Sequence, residues 1–327
     1  MKRTFGYRFL EPAALARVRN LPLIARGVVE GFVSGLHSSP YKGFSAEFAD
    51  HREYSPGDSP RHLDWRTLAR TDRLYIKQYE EETNLRAQIL FDISGSMAYG
   101  KKGTQLFSGN EPQGTPHKRA AAPFSKFEYG AYLTAVLAYL MTRQQDAVGL
   151  TTFDTELRLD MPQRSSARHL GEILQQLERT CRTVEGAGDR PSHGTDVAGT
   201  LHRLADRYKR RCLVVLISDL FDAPDAVARA LHHFRHRRHE VIVFHVFDKA
   251  ELDFPFRETM SFLDMETGER LQIDPSYVRD DYCRQIREFI AGYRRSCADL
   301  GIDYVMTDTS VPYDLMLSRY LAKRSRL

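Results

Sequence analysis

Three oxygen-bearing side chains follow one apolar run at alternate positions. The stretch LRAQILFDISGSM places Asp92, Ser94 and Ser96 directly after residues typical of a buried strand. In an extended loop such alternate residues can point the same way, so one carboxylate and two hydroxyls can converge on a single ion. Gly95 lets the backbone turn tightly between the two serines. Hard oxygen ligands of this kind predict a site for Mg²⁺ or Mn²⁺.

Two later segments supply further ligands of the same chemistry. Thr195 lies in SHGTD, and Asp219 ends the apolar run VVLISD. A cation held by Asp92, Ser94, Ser96, Thr195 and Asp219 keeps one coordination position open. An acidic side chain of another protein can fill that position, so the predicted chemistry is adhesion and not bond breaking.

Each of these residues also has an ordinary structural interpretation. The group from Asp92 to Ser96 can be a polar turn that closes a strand and caps the next helix. Thr195 can be the N-cap of the helix that begins in DVAGTLHRLA, and Asp219 can cap a turn before APDAVARAL.

The elements around these residues predict an α/β domain. From residue 86 onward, short apolar runs alternate with segments of helical periodicity, which favours a mostly parallel sheet with helices on both faces. Ligands of such sheets bind beyond the carboxyl ends of the strands, where the strand order reverses. We therefore expect a smaller N-terminal lobe over residues 1–85 and the α/β domain over residues 86–327.

Two segments interrupt the alternation. Residues 98–126 are rich in glycine, proline and polar side chains and have no period, so they form a long loop that either frames the site or has no role. Residues 260–274 are predicted to form a β-hairpin.

Several motifs of the chain resemble known families. DISGSM, GTD and SDL, in this order, resemble the metal-ion-dependent adhesion site of von Willebrand factor A domains. The resemblance implies a von Willebrand A or Rossmann-like fold, with Asp92, Ser94 and Ser96 as the first ligands. It makes Thr195 the threonine ligand and Asp219 the final aspartate.

Upstream segments add a second resemblance. REYSPGDSPRHLDW, LAR, DMETGE and YLAKR are similar to the signature of the bacterial family called domain of unknown function 58, over most of residues 43–327. Its members are commonly associated with MoxR-type AAA+ ATPases, which implies a role in chaperoning or maturing client proteins. Many members carry N-terminal membrane helices, and the sequence shows no such helix.

Composition excludes several other classes of protein. The 327 residues are 42% hydrophobic and 28% charged, as in soluble globular proteins. A net charge of +4 from 47 basic and 43 acidic residues gives no case for nucleic-acid binding. No uncharged apolar run reaches the roughly 18 residues of a membrane span, and the N-terminus lacks a signal-peptide core. The four scattered cysteines predict free thiols, and the protein is expected to be cytoplasmic.

Motifs of known catalytic sites are missing from the sequence. There is no P-loop, G-x-S-x-G or H-E-x-x-H, so we expect a binding protein and not an enzyme. A metal-dependent phosphate-ester hydrolase and a scaffold with a vestigial metal motif stay open as alternatives. His232 and His236 lie one helical turn apart but have no obvious further ligand for zinc. Trp65 is expected to pack, with docking of an ATPase as its alternative role.

Overall fold

The protein is represented by a computed structural model that describes most of the chain from residue 46 onward. The described residues are 46–53, 65, 67–68, 73–81, 85–100, 124–186, 196–263 and 269–324. Thr195, most of the predicted 98–126 loop and most of the predicted N-terminal lobe lie outside them.

Ten strands occur in the described residues. In chain order they are β1 (Ala46–Glu53), β2 (Tyr75–Glu81), β3 (Arg86–Asp92), β4 (Ala147–Phe153), β5 (Leu157–Arg164), β6 (Leu213–Ser218), β7 (Glu240–Phe247), β8 (Met260–Leu263), β9 (Arg270–Ile273) and β10 (Asp303–Asp308).

Seven α-helices and one short 3₁₀ helix, Gly95–Ala98, complete the secondary structure that the described residues form. The α-helices are α1 (Lys126–Arg143), α2 (Ala167–Gly186), α3 (Val197–Arg207), α4 (Pro224–His236), α5 (Lys249–Asp253), α6 (Pro275–Asp299) and α7 (Tyr313–Arg324).

Six strands form the main sheet, in the order β10-β7-β6-β3-β4-β5. All neighbours pair in parallel except β4 and β5, which form an antiparallel hairpin. The predicted mostly parallel α/β fold is therefore confirmed. The predicted hairpin near residues 260–274 is also confirmed, since β8 and β9 pair antiparallel.

The strand order places a switch point between β3 and β6. The chain leaves β3 through α1 toward β4 on one side, whereas it leaves β6 through α4 toward β7 on the other side. Because the two connections diverge, a crevice opens at the carboxyl ends of these two neighbouring strands. Asp92 and Ser218 are the last residues of β3 and β6, so both lie at this crevice.

Helices cover the sheet on both faces. Successive residues of a strand point to opposite faces. Leu90 belongs to the core cluster that contains Leu201 of α3 and Leu231 of α4. The next residue, Phe91, lies against α1 on the other face, where its ring comes close to Gly130. Both faces of β3 are therefore buried, which explains its continuous apolar sequence.

The described residues divide into two compact units, with a boundary at Leu85. The smaller unit contains β1 and β2, which pair antiparallel with an irregularity between Phe48 and Asp50. The assignment of residues 1–85 to one lobe stays a prediction. The indole of Trp65 is 61% exposed, so the predicted packed role of this side chain is wrong.

The cysteines and the helices bear on two expectations from composition. All four cysteines are free thiols, as predicted, and three of them are buried. Across the described ranges, none of the helices combines the length and the apolar character that spanning a membrane requires.

Candidate metal site at the switch point of the sheet

The carboxylate of Asp92 is the centre of the candidate site and is completely buried. Its Oδ1 accepts a hydrogen bond from the backbone N–H of Ser94 at 2.9 Å. Its Oδ2 accepts a hydrogen bond from the hydroxyl of Ser218 at 2.6 Å, so the ends of β3 and β6 are joined directly. These two bonds fix the orientation of the carboxylate without using its remaining lone pairs.

The two serine hydroxyls converge as the sequence predicted. A hydrogen bond of 3.1 Å joins Ser94 Oγ and Ser96 Oγ, and the short 3₁₀ helix from Gly95 to Ala98 holds this loop. Octahedral Mg²⁺ binds oxygen at about 2.1 Å, which places neighbouring ligand oxygens about 3 Å apart. The hydroxyl pair therefore has the spacing of two adjacent ligands, and the donor set fits a small hard cation.

The ionised form of Asp92 is disfavoured in the protein. Burial, and secondarily the negative charge of Asp219, raise the pKa of Asp92 to about 7, although the Ser218 and Ser94 hydrogen bonds act in the opposite direction. A buried carboxylate close to a second one favours a nearby positive charge. This electrostatic environment is consistent with cation binding.

Asp219 is engaged by a residue that the sequence analysis did not identify. Its Oδ2 accepts a hydrogen bond from Lys126 Nζ at 2.8 Å. The same ammonium group donates to Glu251 Oε1 at 2.6 Å, and the Lys126 side chain is fully buried. Burial alone would lower the pKa of Lys126, but the two carboxylates raise it above the ordinary lysine value. Lys126 is therefore a charged group inside the site.

The position of Lys126 follows from the start of α1. Ser125 and Glu128 form a capping box, in which the Ser125 hydroxyl accepts from Glu128 N–H and the Glu128 carboxylate accepts from Ser125 N–H. The sequence SKFE carries this signature, which would have predicted a helix beginning at Lys126. A lysine in the first turn is unfavourable for the helix dipole, and this conflict is a signal that its charge has a local partner.

The backbone after β6 is held by buried hydrogen bonds. The carbonyl oxygen of Asp219 accepts from His245 Nε2 at 2.7 Å, and the hydroxyl of Tyr304 donates to His245 Nδ1 at 2.8 Å. Burial lowers the pKa of His245 to about 3, so its ring is neutral. Leu220 has a φ of 50°, an uncommon value for a leucine, and its carbonyl accepts from the Tyr293 hydroxyl. Asp219 is thus presented by a rigid turn.

The structural alternatives for Thr195 and Asp219 have different outcomes. The N-cap of α3 is Asp196, which accepts from Gly199 N–H at 2.9 Å, so the N-cap role considered for Thr195 is wrong. Thr195 itself lies outside the described residues. Asp219 does accept a hydrogen bond from Phe221 N–H, but at 3.4 Å, and its short contact is with Lys126.

Among the described residues, no group of metal ligands includes the histidines of α4. His232 and His236 are exposed, with ring centroids 6.5 Å apart. Within the part of the chain that the structure describes, no three His, Cys, Asp or Glu side chains are arranged to hold a metal ion. The candidate site depends instead on serine hydroxyls.

Known proteins resemble this chain over most of its length. The Uncharacterized protein Rv1480 of Mycobacterium tuberculosis (strain H37Rv) and the Uncharacterized protein Mb1516 of Mycobacterium bovis are each 24% identical to it over 318 residues. These matches cover 97% of this chain and 91% of each relative.

Solved structures show weaker similarity. BatB from Bacteroides thetaiotaomicron is 15% identical, with a TM-score of 0.43, covering 74% of this chain and 100% of that one. An aerotolerance-related membrane protein from Bacteroides fragilis is 16% identical, with a TM-score of 0.41, covering 73% and 99%.

A family model matches residues 50–107 and 115–290, which together make up more than half of the chain. The chain therefore belongs to the family described as protein of unknown function DUF58.

Proposed function

We propose that the protein is a non-catalytic, cation-dependent protein-binding module with a site of the von Willebrand A type. Asp92, Ser94 and Ser96 bind Mg²⁺ or Mn²⁺ at the switch point of the sheet, and Thr195 and Asp219 complete the ligand set. A carboxylate of the partner protein would complete the coordination of the cation.

The observation that carries this proposal is the convergence of Ser94 Oγ and Ser96 Oγ at 3.1 Å beside the buried Asp92. A near-octahedral cation could replace the hydrogen bond between the two hydroxyls without moving them apart, because its neighbouring ligand oxygens lie about 3 Å apart. These groups lie beyond the carboxyl ends of the central strands, where α/β proteins bind their ligands.

The residues of the chain would hold the cation and orient its ligands. The bound cation would supply the positive charge that attracts the partner's carboxylate. Ser218 and the backbone of Ser94 fix the Asp92 carboxylate in one orientation. The turn held by His245 and Tyr293 fixes Asp219. This rigidity lowers the entropic cost of binding.

The proposed partner is a MoxR-type AAA+ ATPase, with which the protein acts in the cytoplasm on client proteins. The family resemblance supports this partner. ATP hydrolysis is assigned to the ATPase, since the sequence of this chain has no P-loop.

A capture experiment with the purified ATPase tests the proposal. We expect the ATPase to be retained in Mg²⁺, to be lost in a chelator, and to be lost with Asp92→Asn. Asp280→Asn, which changes an exposed carboxylate of α6, is the matched control and should retain the ATPase. Retention that is equal in Mg²⁺ and in chelator would reject cation-mediated binding.

The phosphate-ester hydrolase is less well supported. In such an enzyme an Arg or Lys side chain commonly assists the metal ion by contacting the phosphoryl group that is transferred. The ammonium group of Lys126 is buried and already contacts both Asp219 and Glu251. Turnover of a phosphate ester that Asp219→Asn abolishes would favour the hydrolase.

A further inference from the structure

The buried ammonium group of Lys126 forms an ion pair with Asp219, a carboxylate that the proposed metal site needs. Lys126 Nζ lies 2.8 Å from Asp219 Oδ2 and 2.6 Å from Glu251 Oε1. It also lies 4.8 Å from the centroid of the Phe221 ring, within the range of a cation–π interaction. The Lys126 side chain has no exposed surface.

This arrangement is stronger than an ordinary surface ion pair. Charge-assisted hydrogen bonds are short and strong, and a buried pair is poorly screened by solvent. Removal of one partner leaves an uncompensated buried charge, which is costly. A cation that recruits Asp219 must therefore displace the ammonium group or share the carboxylate with it.

We infer that Lys126 is a built-in competitor of the divalent cation for Asp219 and thereby sets the affinity of the site. The inference rests on the proposed function, because it concerns the same site. Asp92 and the two serines would hold the cation, and Oδ2 of Asp219 would contribute fully where Lys126 releases it.

Glu251 makes this release possible. Its carboxylate keeps a hydrogen bond with Lys126 when the ammonium group moves away from Asp219, so the buried ammonium does not lose both partners. Glu251 is itself held by Asp248 N–H, which donates to Oε2 at 2.8 Å. Glu251 is therefore a positioning residue for Lys126.

The prediction is that removal of the ammonium group tightens cation binding. We expect Lys126→Met to bind Mn²⁺ at least about tenfold more tightly than the native chain, since a charge-assisted hydrogen bond no longer competes. Glu251→Gln should have the opposite effect, because Lys126 then keeps Asp219 as its one carboxylate partner among the described residues. Calorimetric titration of the full chain with MnCl₂ measures both affinities.

Three further variants isolate the cause. In Lys126→Met combined with Asp219→Asn, the gain in affinity should disappear. Arg211→Met is the matched control, because it breaks the Arg211–Glu240 ion pair before β6, at the opposite end of the strand. It should leave Mn²⁺ affinity unchanged. If Lys126→Met does not fold, Lys126→Gln removes the charge and retains a hydrogen-bonding group.

The outcomes separate this inference from the proposed function. If the native chain binds Mn²⁺ through Asp92 and neither Lys126 variant binds more tightly, the competitor role is refuted and the metal site stands. If neither the native chain nor any Lys126 variant binds Mn²⁺, both proposals fail. If Mn²⁺ binds only after Lys126 is changed, the competitor role is supported.

Discussion

A single methyl group added to α1 should disturb both the core and the site. Gly130 lies in the interior of α1, where the helix approaches the sheet directly below the Asp92 loop. A Cβ atom at this position would lie 2.5 Å from Phe91 Cε2 and 3.3 Å from Ile217 Cγ2. Phe91 is fully buried and packs against Phe127, so its ring has little room to move.

Two effects of Gly130→Ala compete. Alanine favours a helix over glycine by about 1 kcal/mol, whereas forcing an extra carbon into a packed core costs about 1–3 kcal/mol. The contact at 2.5 Å indicates the upper part of that range. We therefore expect Gly130→Ala to lower the free energy of unfolding by about 2 kcal/mol. It should also shift Lys126, one turn earlier, and change Mn²⁺ affinity.

Gly292 provides the matched control. It lies inside α6, and an added Cβ would meet no atom within 4 Å. Gly292→Ala should therefore raise the free energy of unfolding by up to about 1 kcal/mol, through helix propensity alone. Urea unfolding of the two variants and the native chain measures both changes. Equal stabilisation by the two substitutions would refute the close packing of α1 on β3.

Two further predictions concern buried polar groups. Ser218→Ala removes the hydroxyl that donates to Asp92, so we expect a loss of about 1–3 kcal/mol in urea unfolding and weaker Mn²⁺ binding; unchanged values would contradict the role of this bond. Burial raises the pKa of Asp146 to about 7, so the folded state binds the extra proton and stability should fall as pH rises from about 4 to about 7. Asp146→Asn keeps an acceptor for the Leu85 N–H and should remove this contribution to the pH dependence. The contribution changes the free energy of unfolding by at most about 4 kcal/mol between these pH values. An unchanged pH profile of unfolding would reject this explanation.

Much of the fold and part of the site could be predicted from local patterns. Apolar runs that alternate with amphipathic segments predict strands and helices, because each pattern reports which residues an element can bury. The alternate spacing of Ser94 and Ser96 predicted that their hydroxyls meet, since both lie on the short loop that follows Asp92.

The rest of the site depends on contacts between distant parts of the chain. Lys126 meets a carboxylate 93 positions later and another 125 positions later, and Ser218 lies 126 positions after Asp92. Periodicity does not determine which strands become neighbours. The strand order, which places β6 beside β3, decided these contacts.

The sequence by itself determined the α/β alternation, the hydroxyl-rich loop after β3 and the free thiols, because these follow from residue type and short spacing. Only the tertiary structure decided that the second acidic ligand is paired with a buried lysine. Lys126 can remain charged in the interior only because β6 and α5 bring two carboxylates to it.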